Sequence, residues 1–250
     1  WLAPLLLLSY PTFINFARQA RPDITLTALI MVACWALVAA LHGPPRWRRM
    51  RLLLGGLAAG LAILTKGPYG LMLPLGFGLA LRYRQDDQLQ KPVAGDFAWL
   101  TLGAMVALWA GLGLCWSVDD GAYLSQVIFQ PDLTEGAAKH SRIFFYYAGP
   151  LLAATAPAGL AIFAPQLWWR ARRPLPLAMC FLGIMLLLSL VPGKRIHYLL
   201  IAMPFLALAT QDWLQHAAAE RWRRWLPRVA LIAILCSWGY YAFYIPLSPR

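Results

Sequence analysis

The chain has 250 residues, of which 60% are hydrophobic and only 13% charged, and its net charge is +12. In a soluble protein that basicity would point to nucleic acid, but apolar runs approaching span length place this chain among integral membrane proteins. Eighteen of the 22 basic residues are Arg, mostly in short stretches between apolar runs, where topology and lipid headgroups account for them.

In chain order, apolar segments occur near Leu2 to Phe16, Ile24 to Leu41, Leu52 to Thr65, Tyr69 to Leu81, Phe97 to Trp116, Phe144 to Trp169, Leu175 to Val191, Tyr198 to Thr210 and Leu226 to Leu247. They predict an all-α polytopic membrane protein with about nine transmembrane or membrane-embedded helices. Between Leu52 and Leu81 a single helix of about 30 residues would reach about 45 Å, too long for one span. A hairpin turning at Lys66-Gly67-Pro68 puts the Arg46, Arg48, Arg49, Arg51 cluster and the Arg82, Arg84, Lys91 cluster on one side, as the positive-inside rule requires. Arg170, Arg172 and Arg173, and then Arg221, Arg223, Arg224 and Arg228, fall on that same inner side. The first segment then starts in the cytoplasm and the C-terminus ends outside.

The chain opens at Trp1 within an apolar run, with no signal-peptide pattern, and reads as an internal fragment of a longer protein. No internal repeat or Gly/Ser-rich linker divides it, so residues 1–250 read as a single membrane domain, with 117–143 as its longest outside loop. Cys34, Cys115, Cys180 and Cys236 lie in apolar stretches without metal or disulfide spacing.

Four polar knots fall on the outer side against the usual charge sorting: residues 17–23, Thr65-Lys66-Gly67-Pro68, Lys139-His140-Ser141-Arg142, and Lys194-Arg195-Ile196-His197-Tyr198. Snorkelling is the structural explanation for each cation alone. Fixed cations beside a low-dielectric wall also suit a developing phosphate charge, with Arg supplying a planar fork and Lys a point charge. Arg18 and Arg21 are the weakest candidates of the set, and Lys66 and Lys194 the strongest. Asp23, after Pro22, reads as an N-cap of the next helix. His140 is a polar surface residue, a phosphate contact or one ligand of a divalent metal, although no second ligand sits at diagnostic spacing. Tyr146 and Tyr147 read as interfacial anchors, and Tyr198 as a belt tyrosine or a phosphate contact. His197 is less compelling, and Pro204 should kink the helix that Tyr198 begins.

The order Ala17-Arg18-x-x-x-x-Asp23, Leu64-Thr65-Lys66-Gly67-Pro68 leading to Leu73-Pro74, His140-x-x-x-Phe144-Phe145-Tyr146-Tyr147, and Lys194-Arg195-x-His197-Tyr198-Leu199-Leu200 resembles the polyprenyl-phosphate-sugar glycosyltransferases. These include the aminoarabinose transferases that modify lipid A and the protein O-mannosyltransferase-like enzymes. The resemblance implies a multi-helix enzyme of the C-type glycosyltransferase class in the cytoplasmic membrane, its active face periplasmic. The enzyme would move a sugar from a polyprenyl-phosphate donor to a lipid, glycan or protein acceptor. It assigns Lys66, Arg142, Lys194, Arg195 and Tyr198 to the donor phosphate and Arg18, Asp23 and His140 to shaping the pocket, with no cofactor beyond a divalent metal at His140. The family's catalytic acid lies in a first outside loop that precedes this chain, so no base is assigned here and the fragment alone is expected to be inactive. The alternative is a transporter or lipid flippase for an anionic substrate, whose usual internal repeats are not visible.

Overall fold

The computed structural model describes residues 2–19, 21–82, 90–119, 144–147, 151, 175–190 and 195–216, with 228, 231, 232 and 235. Among these the regular structure is all helical. The elements are α1 (Leu2–Leu8), α2 (Pro11–Ala17), α3 (Pro22–His42), α4 (Pro45–Lys66), α5 (Tyr69–Leu81), α6 (Ala94–Asp119), a 3₁₀ turn (Phe144–Tyr147), α7 (Leu175–Leu190), a 3₁₀ helix (Ile196–Ile201) and α8 (Met203–His216). Two of them, α3 and α6, are long and apolar enough to cross a membrane among the described residues.

The chain divides into two compact units, the first comprising Trp1–Ile24, Phe144–Ser189 and Ile196–Arg250, the second Thr25–Ile143 and Leu190–Arg195. In the second unit, α4 and α6 run parallel along a seam of small residues. A Cβ added at Gly56 would sit 2.8 Å from Gly103 Cα, and one added at Gly60 would sit 2.6 Å from Ala107 Cβ. Backbones this close are the means by which helices associate where lipid removes any hydrophobic drive between them. On the other side of α4, an added Gly55 Cβ would lie 2.9 Å from Ala36 Cβ, and Arg51 Nη1 donates to Ala39 O at 2.6 Å, so α3 runs antiparallel to α4. Apolar side chains such as Trp35, Val106 and Trp109 remain exposed on these helices, as suits lipid contact.

The expected hairpin forms. Helix α4 stops at Lys66, Gly67 takes φ 84° and ψ −160°, and α5 begins at Tyr69. Only Gly adopts that backbone region without strain. Gly67 N–H donates to Ile63 O at 2.7 Å, and Gly70 brings α5 directly onto α4, where an added Cβ would lie 2.7 Å from Ala62 C.

Several sequence expectations need correction. Leu2 to Phe16 is two short helices, because Pro11 holds Tyr10 extended (φ −79°, ψ 113°) and starts α2 itself. The Arg46, Arg48, Arg49 and Arg51 cluster is helical, since α4 starts at Pro45, seven residues before the apolar run. Arg48 Nε and Nη2 grip Asp96 Oδ1 and Oδ2 at 2.8 and 2.6 Å, and Arg48 also donates to Gln90. That puts the starts of α4 and α6 at one end of the unit, as the hairpin requires.

The segment from Tyr198 to Thr210 is likewise broken. Pro204 has no N–H to bond Leu200, so the α-helix starts anew at Met203 with Pro204 in its first turn, where the missing donor costs nothing. It therefore does not kink a continuous helix. Most of the C-terminal apolar run and most of Phe144 to Trp169 lie outside the described residues, so the count of about nine helices is an expectation from apolar spacing.

Candidate functional site

The first unit brings residues 17–23 of the first polar knot together with His197 and Tyr198 of the fourth. Helix α2 ends at Ala17, turn residues follow at Arg18 and Gln19, and α3 begins at Pro22, whose fixed φ and missing N–H suit a first helical position. Asp23 therefore sits one residue inside α3 rather than at its N-cap, which corrects the sequence reading. It is buried, 2% exposed, in the first turn where the helix dipole favours a carboxylate.

His197, in the 3₁₀ helix, stands between Arg21 and Asp23. Arg21 Nη1 lies 3.2 Å from His197 Nδ1, and His197 Nε2 lies 3.9 Å from Asp23 Oδ2. A guanidinium can only donate, so Nδ1 accepts and the neutral ring carries its proton on Nε2, facing the carboxylate. The imidazole thus bridges a cation and an anion. At 3.9 Å the carboxylate contact is electrostatic, beyond hydrogen-bond reach.

Rings frame the cluster. The His197 ring meets Phe16 edge-on at 5.9 Å and Tyr198 at 4.8 Å, while the Arg21 guanidinium lies 5.1 Å from the Phe16 centroid. Arg21 Nε donates to Gln19 Oε1 at 2.8 Å, so the guanidinium is held from three directions. Arg21 and His197 are the pair that sequence reasoning ranked low. They lie in two knots far apart in the chain, and only the fold shows that they meet. Tyr198, assigned to phosphate from sequence, is half-buried against His197.

Lys66 ends α4 in the second unit and is half-buried. Arg195 is exposed just before the 3₁₀ helix, and Arg18 is exposed at the C-cap of α2, its N–H donating to Ile14 O at 3.3 Å. His140, Arg142 and Lys194 lie outside the described residues. Tyr147 is 1% exposed in its 3₁₀ turn, with its ring 5.2 Å from that of Tyr146, so it is an interior residue rather than an interfacial anchor. No cluster of three or more His, Cys, Asp or Glu suited to a metal occurs among the described residues.

Residues 1–116 match the family described as dolichyl-phosphate-mannose-protein mannosyltransferase. An undecaprenyl phosphate-alpha-4-amino-4-deoxy-L-arabinose arabinosyl transferase 1 of Sodalis glossinidius (strain morsitans) is 32% identical over 223 residues, 83% of this chain and 38% of that protein. The chain is a relative of the polyprenyl-phosphate-sugar glycosyltransferases.

A second such relative, the arabinosyl transferase of Pectobacterium carotovorum subsp. carotovorum (strain PC1), is 29% identical over 179 residues, 69% of this chain and 32% of that protein. An uncharacterised protein of Aquifex aeolicus (strain VF5) is 27% identical over 95% of this chain and 48% of its own length. The chain thus spans about half or less of the length of these three relatives. In fold it is similar to ArnT from Cupriavidus metallidurans, solved with undecaprenyl phosphate bound (TM-score 0.67, 19% identity) and in the apo state (0.68, 20%). Both comparisons cover 100% of this chain and 46% of the ArnT chain, and they give this chain a helical, polytopic membrane fold.

Proposed function

We propose that this chain forms part of an integral membrane glycosyltransferase that moves a sugar from a polyprenyl-phosphate donor to an acceptor at the outer face of the cytoplasmic membrane. The observation that carries the reading is its sequence relation to two undecaprenyl phosphate-aminoarabinose arabinosyl transferases, together with its likeness in fold to ArnT. Those relatives with a named activity are transferases, which favours transfer over transport.

In the reaction, an acceptor oxygen forms a bond to the anomeric carbon as the bond from that carbon to the phosphate oxygen breaks. The electron pair leaves with the phosphate, and the acceptor's proton passes to a base that we assign to none of the residues named here. The barrier falls to the extent that preorganised donors stabilise the charge gathering on the departing phosphate. Lys66, Arg142, Lys194, Arg195 and Tyr198 are our assignment for that task, on the strength of residue type and motif order. Arg18, Asp23 and His140 shape the pocket.

The test is sugar transfer by the full-length protein in liposomes containing a labelled polyprenyl-phosphate sugar and a lipid acceptor. K66A and K194A should each abolish transfer while membrane insertion is unchanged, and full turnover in both would overturn the assignment.

A further inference from the structure

Arg21 has no place in the motif order, yet three side chains of the first unit hold it. Gln19 takes its Nε–H, His197 Nδ1 takes one Nη1–H, and its guanidinium carbon lies over the Phe16 ring at 5.1 Å. A long side chain normally loses rotamer entropy when it binds, and three anchors take most of that loss in advance. Among the described residues, Nη2 makes no hydrogen bond, so one edge of the fork remains open. Arg21 is partly buried there, where an open N–H edge is satisfied best by an oxyanion matching its planar geometry. The ring of Tyr198, the residue assigned to the donor phosphate, meets the same imidazole edge-on at 4.8 Å.

We propose that Arg21 is a further binding residue for the donor's phosphate, and that His197 is its positioning residue. The proposal rests on the transferase reading. His197 acts through Nδ1, which fixes the guanidinium, while its Nε2–H faces Asp23 and keeps the ring from turning over. A half-turn of the ring would put Cδ2 where Nδ1 meets Arg21 and Cε1 where Nε2–H faces the carboxylate, losing both contacts. The carboxylate therefore maintains the tautomer that holds the arginine.

Two isosteres separate the two ring nitrogens. Asn at position 197 offers a carbonyl oxygen close to where Nδ1 stands, whereas Gln offers an amide N–H close to Nε2. The experiment uses full-length protein in detergent and reads both undecaprenyl phosphate binding and transfer kinetics. H197A, H197Q and R21A should each weaken phospholipid binding and raise the donor KM by about tenfold or more, with kcat changing less, as for an interaction made in both ground and transition states. H197N should recover most of the affinity that H197A loses. The double variant R21A/H197A should be no worse than R21A alone, because His197 acts through Arg21.

Equal defects in H197N and H197Q, or additive losses in the double variant, would overturn the proposal. If the wild-type protein transfers no sugar but the binding pattern holds, the reaction assignment fails and the phosphate site stands. An R21A protein that folds and binds undecaprenyl phosphate with unchanged affinity would overturn the site itself.

Discussion

Arg48 and Asp96 form a two-bonded pair, Nε to Oδ1 at 2.8 Å and Nη2 to Oδ2 at 2.6 Å, which joins the first turn of α4 to the first turn of α6. Asp96 Oδ2 also accepts the Val93 N–H at 2.8 Å, so one carboxylate both caps α6 and binds its neighbour. The Asp96 side chain is 5% exposed and that of Arg48 20%. Arg48→Ala therefore strands a buried carboxylate and should cost about 2 to 4 kcal/mol. Asp96→Asn should cost less, because the released guanidinium can reach water. Thermal unfolding of the two variants in detergent checks the order, and equal or negligible losses would contradict it.

Small residues set the distance between α4 and α6. At Gly56 an added Cβ meets backbone, including Gly103 Cα at 2.8 Å, whereas at Gly76 on α5 nothing lies within 4 Å. Gly56→Ala should destabilise by about 1 to 3 kcal/mol through overpacking. Gly76→Ala should stabilise by about 0.5 to 1 kcal/mol, since a helix interior gains from losing glycine's backbone freedom. The same substitution thus has opposite signs at the two sites, readable as opposite shifts in melting temperature.

At the hairpin, Gly67 has open space around its missing Cβ but a φ of 84°. The cost of Gly67→Ala is accordingly one of backbone strain alone, of order 1 to 3 kcal/mol. A companion variant, Pro68→Ala, leaves that strained position untouched. It should lower the melting temperature less, and a larger loss at Pro68 would show that the turn is held by something other than Gly67.

Tyr10 is fully buried, yet its hydroxyl has no hydrogen-bond partner among the described residues. Leaving such a group buried is costly, so Tyr10→Phe, which keeps the ring and removes the oxygen, should be neutral or stabilising by about 1 kcal/mol. A clear fall in stability would mean that the hydroxyl is bonded in the membrane.

The hairpin at Lys66-Gly67-Pro68 is legible in the sequence because span length and the sidedness of Arg both demand a turn there. Helix α3 and the core of α6 are legible for the same reason, since an uninterrupted apolar run of span length has one outcome. Breaks are harder to read. Pro11 and Pro204 sit in runs that are apolar overall, and their effect is on hydrogen bonding, which hydropathy does not register. The small-residue seam carries a readable signal in Gly56-Leu57-Ala58-Ala59-Gly60. The Arg21 to His197 contact carries none, because it joins positions 176 residues apart in two different polar knots. Asp23 is intermediate. Its place at the start of a helix follows from Pro22, but its facing His197 follows only from the fold.

The central claim is transfer of a sugar from a polyprenyl phosphate, and a doubly labelled donor tests it most directly. Full-length protein in proteoliposomes is given a polyprenyl-phosphate sugar carrying one label on the sugar and another on the lipid, with an acceptor on the outer face. The account predicts that the two labels separate, the sugar moving to the acceptor while the lipid label stays with a phosphate, and that K66A prevents the separation. Labels that stay together while the intact donor crosses the bilayer would contradict it.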